Sequence, residues 1–294
     1  MDTTTTARRQ ASVSAAPPIG RYIGKGLTYA ALSLLGLAFL LPLVWMFSAS
    51  LMTLDQIGKW PPEWIPNPVQ WENYQTALDH WKFGVTFVNT VVITAFTMLG
   101  NLLSCTLVAY GFARLRFPGR ETLFLILLAT MMLPFAVTMV PLYILFNSIG
   151  WVNSFLPLIV PHFFGSPFLI FLLRQFFLTI PEELVDAARI DGASEFQIWY
   201  RIMVPLAKPA IIVLLIFSFQ SAWNDFLAPL LYLKDESLRT LALGLYYFRA
   251  MPGQGSLYHE MMAATVLMVV PMLAVFAVFQ KQFVQGVTLS GLKG

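Results

Sequence analysis

The chain has 294 residues, of which 57% are hydrophobic and 11% charged, with a mean hydropathy of +0.70. Water-soluble domains carry about 25% charged residues, so this composition excludes a soluble globule, and its hydrophobicity excludes a disordered chain. One cysteine excludes a disulfide scaffold and a cysteine-based zinc site, and the formal net charge is only +3. The composition is that of a membrane protein.

Residues 1–20 are rich in Thr, Ala and Ser without an apolar period, which predicts a disordered tail. Beyond it, no Lys, Arg, Asp or Glu occurs from Gly26 to Leu54, Phe83 to Ala113, Thr122 to Leu173, or Met261 to Gln280. Pro209 to Leu233 is interrupted only by Asp225. One crossing of a hydrocarbon core about 30 Å thick takes about 20 helical residues. The stretch from Thr122 to Leu173 is too long for one crossing, and a polar turn from Asn147 to Ser154 divides it. The pattern predicts an all-α polytopic protein with six spans, at 27–48, 86–110, 122–146, 155–177, 208–231 and 262–282. The first span competes with a signal peptide, with Ser48-Ala49-Ser50 as a small-residue cleavage site. Its apolar core is too long and too far from Met1 for that reading. The domain layout is therefore a tail at 1–20 and a six-span domain at 21–294.

An even number of spans puts both termini on one side with the 111–121 and 178–207 loops. That side holds Arg8, Arg9, Arg21, Lys25, Arg114, Arg116, Arg120, Arg174, Arg189, Arg201, Lys208, Lys281 and Lys293. The other side holds Lys59, Lys82, Lys234, Arg239 and Arg249. The positive-inside rule places both termini in the cytoplasm. The basic character follows from this asymmetry, so nucleic-acid binding is not required. Outer loop 49–85 interleaves Trp60, Trp64, Trp71 and Trp81 with Pro61, Pro62, Pro66 and Pro68. It reads either as an aromatic belt with stiff turns or as a docking surface for an external partner. Outer loop 232–261 is long for a connector and carries Pro252, Gly253, Gln254 and Gly255 at its tip.

The 178–207 loop reads as two short helices. Thr179 with Glu182, and Ser194 with Gln197, have capping-box spacing; Gly192 ends the first helix and Pro205 closes the second. Ala187, Ala188, Gly192 and Ala193 are small enough for another backbone to approach closely. The acidic residues Glu182, Glu183, Asp186, Asp191 and Glu195 disfavour an alternative in which the hairpin lies on anionic headgroups.

Asp186-Ala187-Ala188, Gly192, Ile202 and Val204-Pro205 resemble the EAA loop of permease subunits in ATP-binding-cassette importers. That pattern is Glu-Ala-Ala, three residues, Gly, nine residues, Ile, one residue, Leu-Pro; Asp186 and Val204 are conservative departures. Ala109 to Arg114, Pro181 to Pro209, Trp223 to Phe226 and the ending Gln282 to Gly294 resemble the maltose-transporter type, and the six spans resemble its smaller permease. The resemblance implies a type I importer permease fold and import of a sugar or oligosaccharide, with a non-sugar solute such as glycerol phosphate as the alternative. Implied partners are a second homologous permease as heterodimer, two ATPase subunits, an extracytoplasmic sugar-binding protein and the lipid bilayer. It also implies ATPase coupling through Glu182, Glu183, Asp186, Ala187, Ala188, Asp191, Gly192, Ala193 and Ser194. The 252–255 tip would then reach into the docked binding protein.

Gly20 to Gly26 is one residue short of a phosphate-binding loop and lacks its Ser/Thr, so no nucleotide cofactor is expected here; ATP and Mg²⁺ belong to partner ATPase chains. His80, His162 and His259 have no zinc-ligand spacing, and no nucleophile motif supports an enzyme. His162 reads as a residue bonded within the bundle or as a transport group. Asp225 raises the alternative of an ion-coupled secondary transporter; an EAA loop has no role in one. In the fifth span Phe217, Gln220, Ser221, Asn224 and Ala228 follow helical spacing. This polar face reads either as a substrate path or as inter-helix hydrogen bonding.

Overall fold

The computed structural model describes residues 19–80, 82–249 and 257–291. The expected tail (but for Ile19 and Gly20), Trp81 and the loop tip at Pro252, Gly253, Gln254 and Gly255 lie outside the described residues. Among these residues the chain is helical with no strand. The helices are α1 (Ile19–Ala49), α2 (Leu54–Ile57), α3 (Glu72–His80), α4 (Phe83–Arg114), α5 (Arg120–Thr130), α6 (Phe135–Ser148), α7 (Leu156–Ile159) and α8 (Pro167–Thr179). There follow α9 (Glu182–Ile190), α10 (Glu195–Ile198), α11 (Val204–Leu206), α12 (Lys208–Trp223), α13 (Leu227–Tyr232), α14 (Leu241–Arg249) and α15 (Tyr258–Gly291).

Four stretches are long and apolar enough to cross a membrane: Gly24–Ala49, Phe83–Arg114, Leu156–Thr179, which is α7 and α8 joined through the 160–164 turn, and Tyr258–Gln280. The third expected span, 122–146, is not one straight helix. α5 and α6 meet at 97°. Pro134 is extended at ψ 143° and starts α6, because proline has no N–H for the preceding turn and biases its predecessor away from helix. The Met131, Met132 and Leu133 amides instead bond the carbonyls of Leu128, Ala129 and Thr130. The fifth span also departs from expectation. α12 stops at Trp223, the chain turns through Asn224 and Asp225, and α13 restarts at Leu227.

α4 is the central post. It packs along α8, α12 and α14, and one face of it is buried and polar: Thr86, Thr90, Thr94, Thr97 and Asn101. Polar groups in a lipid-embedded bundle need partners inside it, and Thr90, Thr97 and Asn101 find them on three neighbours, whereas Thr94 Oγ1 and Asn101 Oδ1 are buried without one. Thr90 Oγ1 accepts from Leu241 N–H at 2.8 Å, and Thr97 donates to the Leu158 carbonyl at 3.3 Å. Asn101 Nδ2 donates to Ser218 Oγ at 3.1 Å. Gly100, on the same helix, lets the turn at 160–164 approach closely: a β-carbon there would lie 2.8 Å from the Phe163 ring. His162 is held in that turn, where its carbonyl accepts from Ser104 Oγ at 3.0 Å.

Candidate functional site

The 178–207 segment folds as the paired helices α9 and α10, and its caps explain why. α9 ends at Gly192, whose φ of +82° favours glycine. Gly192 N–H bonds the Arg189 carbonyl at 3.1 Å, and Ala193 N–H bonds that of Ala188 at 3.0 Å, the Schellman pattern. The Ser194–Gln197 capping box forms, with Ser194 N–H on Gln197 Oε1 at 2.8 Å and Gln197 N–H on Ser194 Oγ at 3.3 Å. The expected Thr179–Glu182 box does not. Thr179 is the last residue of α8 and its hydroxyl donates to the Phe176 carbonyl at 2.7 Å, so Pro181 occupies the start of α9 without a side-chain cap. After α10 the helix widens by one π turn over Trp199–Met203, and α11 meets α12 at an 82° bend just past Pro205.

The hairpin is part of the domain core. Val185, Ile198 and Met203 are fully buried against Tyr110, Leu173, Phe177 and Leu214. Burying each such side chain is worth about 1.5–3 kcal/mol, so these three are committed to the bundle and not to lipid. What faces outward is mixed. Glu182, Glu183, Asp186, Ala187, Asp191, Gly192 and Ser194 are exposed; Ala193 is half-buried; Ala188 is buried inward. Beside them Ile190 is 86% exposed and Phe196 60%. Sequence reasoning missed these two apolar residues: their helical register is visible, but which face the core takes is not.

Side chains from the membrane helices hold the hairpin in place. Tyr110 Oη donates to the Glu195 carboxylate, which Arg189 Nε also meets at 2.8 Å; Arg189 Nη1 reaches Asp186 at 3.0 Å. Arg114 Nη2 donates to the Phe177 carbonyl at 2.6 Å and to that of Ile180. Arg116 lies 3.5 Å from Glu182. The Arg189 hydrogen bond holds the Glu195 carboxyl below the usual carboxylate range and raises the guanidinium in turn. A depressed carboxyl contributes above its unfolded pKa and loses the contribution as pH falls through the folded value. The link is therefore intact at neutral pH and opens only in acid. Because the pair is partly exposed, Glu195→Ala is expected to cost no more than about 1 kcal/mol of stability. The same variant removes the hairpin's tether to Tyr110 of α4, and the unfolding midpoint measures the cost.

The fifth-span residues are brought together only in part. Gln220, Ser221 and Asn224 are exposed along one side of the end of α12, away from buried Ser218 and Trp223. Asn224 Nδ2 donates to the Gln220 carbonyl at 2.9 Å and contacts Met272 Sδ at 3.6 Å. Phe217 is half-buried, edge-to-face on Phe168 with centroids 5.6 Å apart. Ala228 is on α13, beyond the break, so it does not continue that face. Asp225 acts locally, since its Oδ1 accepts from Ala228 N–H at 3.2 Å and so caps α13. Among the described residues, no group of three His, Cys, Asp or Glu side chains could hold a metal ion.

Residues 105–289 match the family described as binding-protein-dependent transport system inner membrane component. The chain is 36% identical over 208 residues to the arabinooligosaccharides transport system permease protein AraQ of Bacillus subtilis (strain 168), covering 71% of this chain and 73% of AraQ. It is 31% identical over 256 residues to the sn-glycerol-3-phosphate transport system permease protein UgpE of Yersinia enterocolitica, covering 85% and 91%. In fold it superposes on a chain from the crystal structure of a bacterial ABC transporter that imports alginate. The TM-score is 0.81 at 23% identity, over 91% of this chain and 99% of that one. With the matched region spanning most of the bundle and the whole 178–207 hairpin, the chain belongs to the inner-membrane permease components of binding-protein-dependent ABC importers.

Proposed function

We propose that this chain is one permease of a heterodimer that imports a sugar or oligosaccharide, driven by two separate ATPase subunits that bind ATP and Mg²⁺. The observation that carries the coupling role is the 178–207 hairpin, whose apolar face is locked into the domain while Ile190, Asp191 and Gly192 project outward. A rigid projection with a small, acidic tip suits insertion into a groove of an ATPase. Motion of the groove then moves α4 and α8 directly, through Arg114 and Tyr110. Glu182, Glu183, Asp186, Ala187, Ala188, Ala193 and Ser194 frame that tip. In this reading the hairpin and both termini face the cytoplasm, in keeping with the distribution of basic residues.

The sugar class rests on relatives such as the arabinooligosaccharide permease; the glycerol-phosphate permease marks the nearest alternative solute. An external binding protein delivers the solute, and the 252–255 tip enters its cleft. The switch of the bundle between inward- and outward-facing states is alternating access. An ion-coupled mechanism at Asp225 gains nothing from the geometry, because that carboxylate caps α13. The deciding experiment is reconstitution with the companion ATPases, second permease and binding protein. Uptake of an oligosaccharide panel should require ATP and binding protein and should not respond to a proton or sodium gradient.

Gln220, Ser221 and Asn224 form the proposed substrate path of this chain, with Phe217 behind them. Their amides and hydroxyl match sugar hydroxyls, and their exposure on the isolated chain leaves them free to line a cavity against the second permease. Gln220→Leu and Asn224→Leu are expected to reduce uptake about tenfold or more, while complex yield and basal ATP hydrolysis stay at the parental level. Loss of assembly instead would make the stripe structural, and unchanged uptake would remove it from the path.

A further inference from the structure

The connection between α2 and α3 carries an apolar surface that the transport reading does not use. Trp60 is 90% exposed, Ile65 81% and Trp71 67%, with Trp64 and Val69 also on the surface. This segment is not a slack loop. Trp64 packs edge-to-face on Trp45 of α1 with centroids 5.4 Å apart, and its carbonyl accepts from Ser48 Oγ. Gln70 N–H bonds the Leu51 carbonyl at 2.8 Å, and Gln56 Nε2 donates to the Asn67 carbonyl. Asn73 Nδ2 ties α3 to the Ser50 and Met52 carbonyls at 3.0 and 2.9 Å. The backbone that carries the exposed side chains is therefore tied to α1 and α2.

Their level follows from the partner of Trp64. Trp45 lies four residues before the end of α1, about 6 Å back along the membrane-crossing helix at 1.5 Å per residue. The segment is thus folded down beside the last turn of a span. Leu41, Val44 and Phe47 of that span are exposed as well. A soluble partner arriving from bulk water meets what projects beyond the helix ends, not what is tucked beside them. The charges agree: Lys59 and Glu63 pair at 2.8 Å, which leaves the patch neutral.

We propose that residues 58–71 are an interfacial anchor, with Trp60 and Ile65 inserted at the headgroup–acyl boundary of the leaflet opposite the 178–207 hairpin. Indole rings suit that boundary, being apolar bodies with one polar N–H. With no net charge, the anchor takes zwitterionic lipid as readily as anionic lipid, and salt does not loosen it. Four prolines, Pro61, Pro62, Pro66 and Pro68, limit the ordering cost of holding the rings in place.

The test uses the whole complex. Cys105 is the single native cysteine, so Cys105→Ala gives a clean background. An environment-sensitive nitrobenzoxadiazole label is placed at Trp60→Cys, at Ile65→Cys, and at Asp79→Cys as an exposed control on α3. In phosphatidylcholine nanodiscs containing a lipid with a doxyl group high on its acyl chain, the 60 and 65 labels should be quenched several-fold more than the 79 label. Added binding protein or salt should not change this. Equal, weak quenching at all three positions overturns the proposal. In that case, a spectral change at 60 or 65 on adding binding protein would make the patch a protein-docking surface. No change would place it in water or against the second permease. Quenching that requires anionic lipid overturns the neutral-anchor chemistry.

Discussion

Gly192→Leu is expected to abolish solute-stimulated ATP hydrolysis and uptake in reconstituted complexes, and a graded series at this position should reveal why. The residue sits at φ +82°, and a β-carbon placed there meets nothing of this chain within 4 Å. Two costs are therefore separable. Any L-residue in the left-handed region costs about 1–2 kcal/mol, which Asn bears best because its side chain bonds locally. Bulk, by contrast, has nothing to strike until a second protein covers the tip. Gly192→Asn and Gly192→Ala should retain most uptake if close approach is loose, whereas Leu should lose it in every case. If Ala is as damaging as Leu, the turn itself is the requirement. Parental uptake with Leu would remove the hairpin tip from the coupling interface.

Gly100→Ala is expected to lower the unfolding midpoint of the purified protein, and Gly100→Leu to leave little folded material. The added β-carbon would lie 2.8 Å from Phe163 Cδ2 and 3.1 Å from the His162 carbonyl carbon. The ring can shift, but the backbone of the 160–164 turn is fixed by the Ser104 hydroxyl on the His162 carbonyl. Overpacking of this kind costs about 1–3 kcal/mol for one methyl group, and more for a branched side chain. Thermal unfolding in detergent, followed by size-exclusion profile, measures it. Gly100→Ala combined with Phe163→Leu should recover part of the loss, since the smaller side chain relieves the nearer clash. A Gly100→Ala protein as stable as the parent would show that α4 and the turn have room between them for a methyl group.

The two glycines also mark how far a linear reading reaches. Gly192 was legible as a helix stop because small residues, an acidic run and the Ser194–Gln197 spacing surround it, and all of those signals act over a few residues. The EAA-type spacing from Asp186 to Pro205 was legible for the same reason. Gly100 carried no signal, since its requirement comes from Phe163, which is distant in the chain. The face formed by Thr86, Thr90, Thr94, Thr97 and Asn101 is different: its polar residues recur at helical spacing in the sequence, but only the neighbours α7, α12 and α14 show that it is buried and what it bonds.

The breaks in the third and fifth spans divide differently. Pro134 was a local signal, and its lack of an N–H accounts for the 97° bend between α5 and α6. The stop of α12 at Trp223 was less visible, because the Asp225 cap on α13 reads in sequence like an isolated intramembrane charge. The failed Thr179 cap has a tertiary cause: Arg114 binds the Phe177 and Ile180 carbonyls, drawing α8 through Thr179 before α9 begins. By itself the sequence determined the six apolar stretches, the helix–turn–helix of the hairpin and its family pattern, because hydropathy, capping and glycine turns are local. Only the tertiary structure decided which face of each helix is buried, where spans bend, and how the hairpin is tied to the bundle. Those depend on contacts such as Tyr110 with Glu195, 85 residues apart, whose partners no local rule can pair.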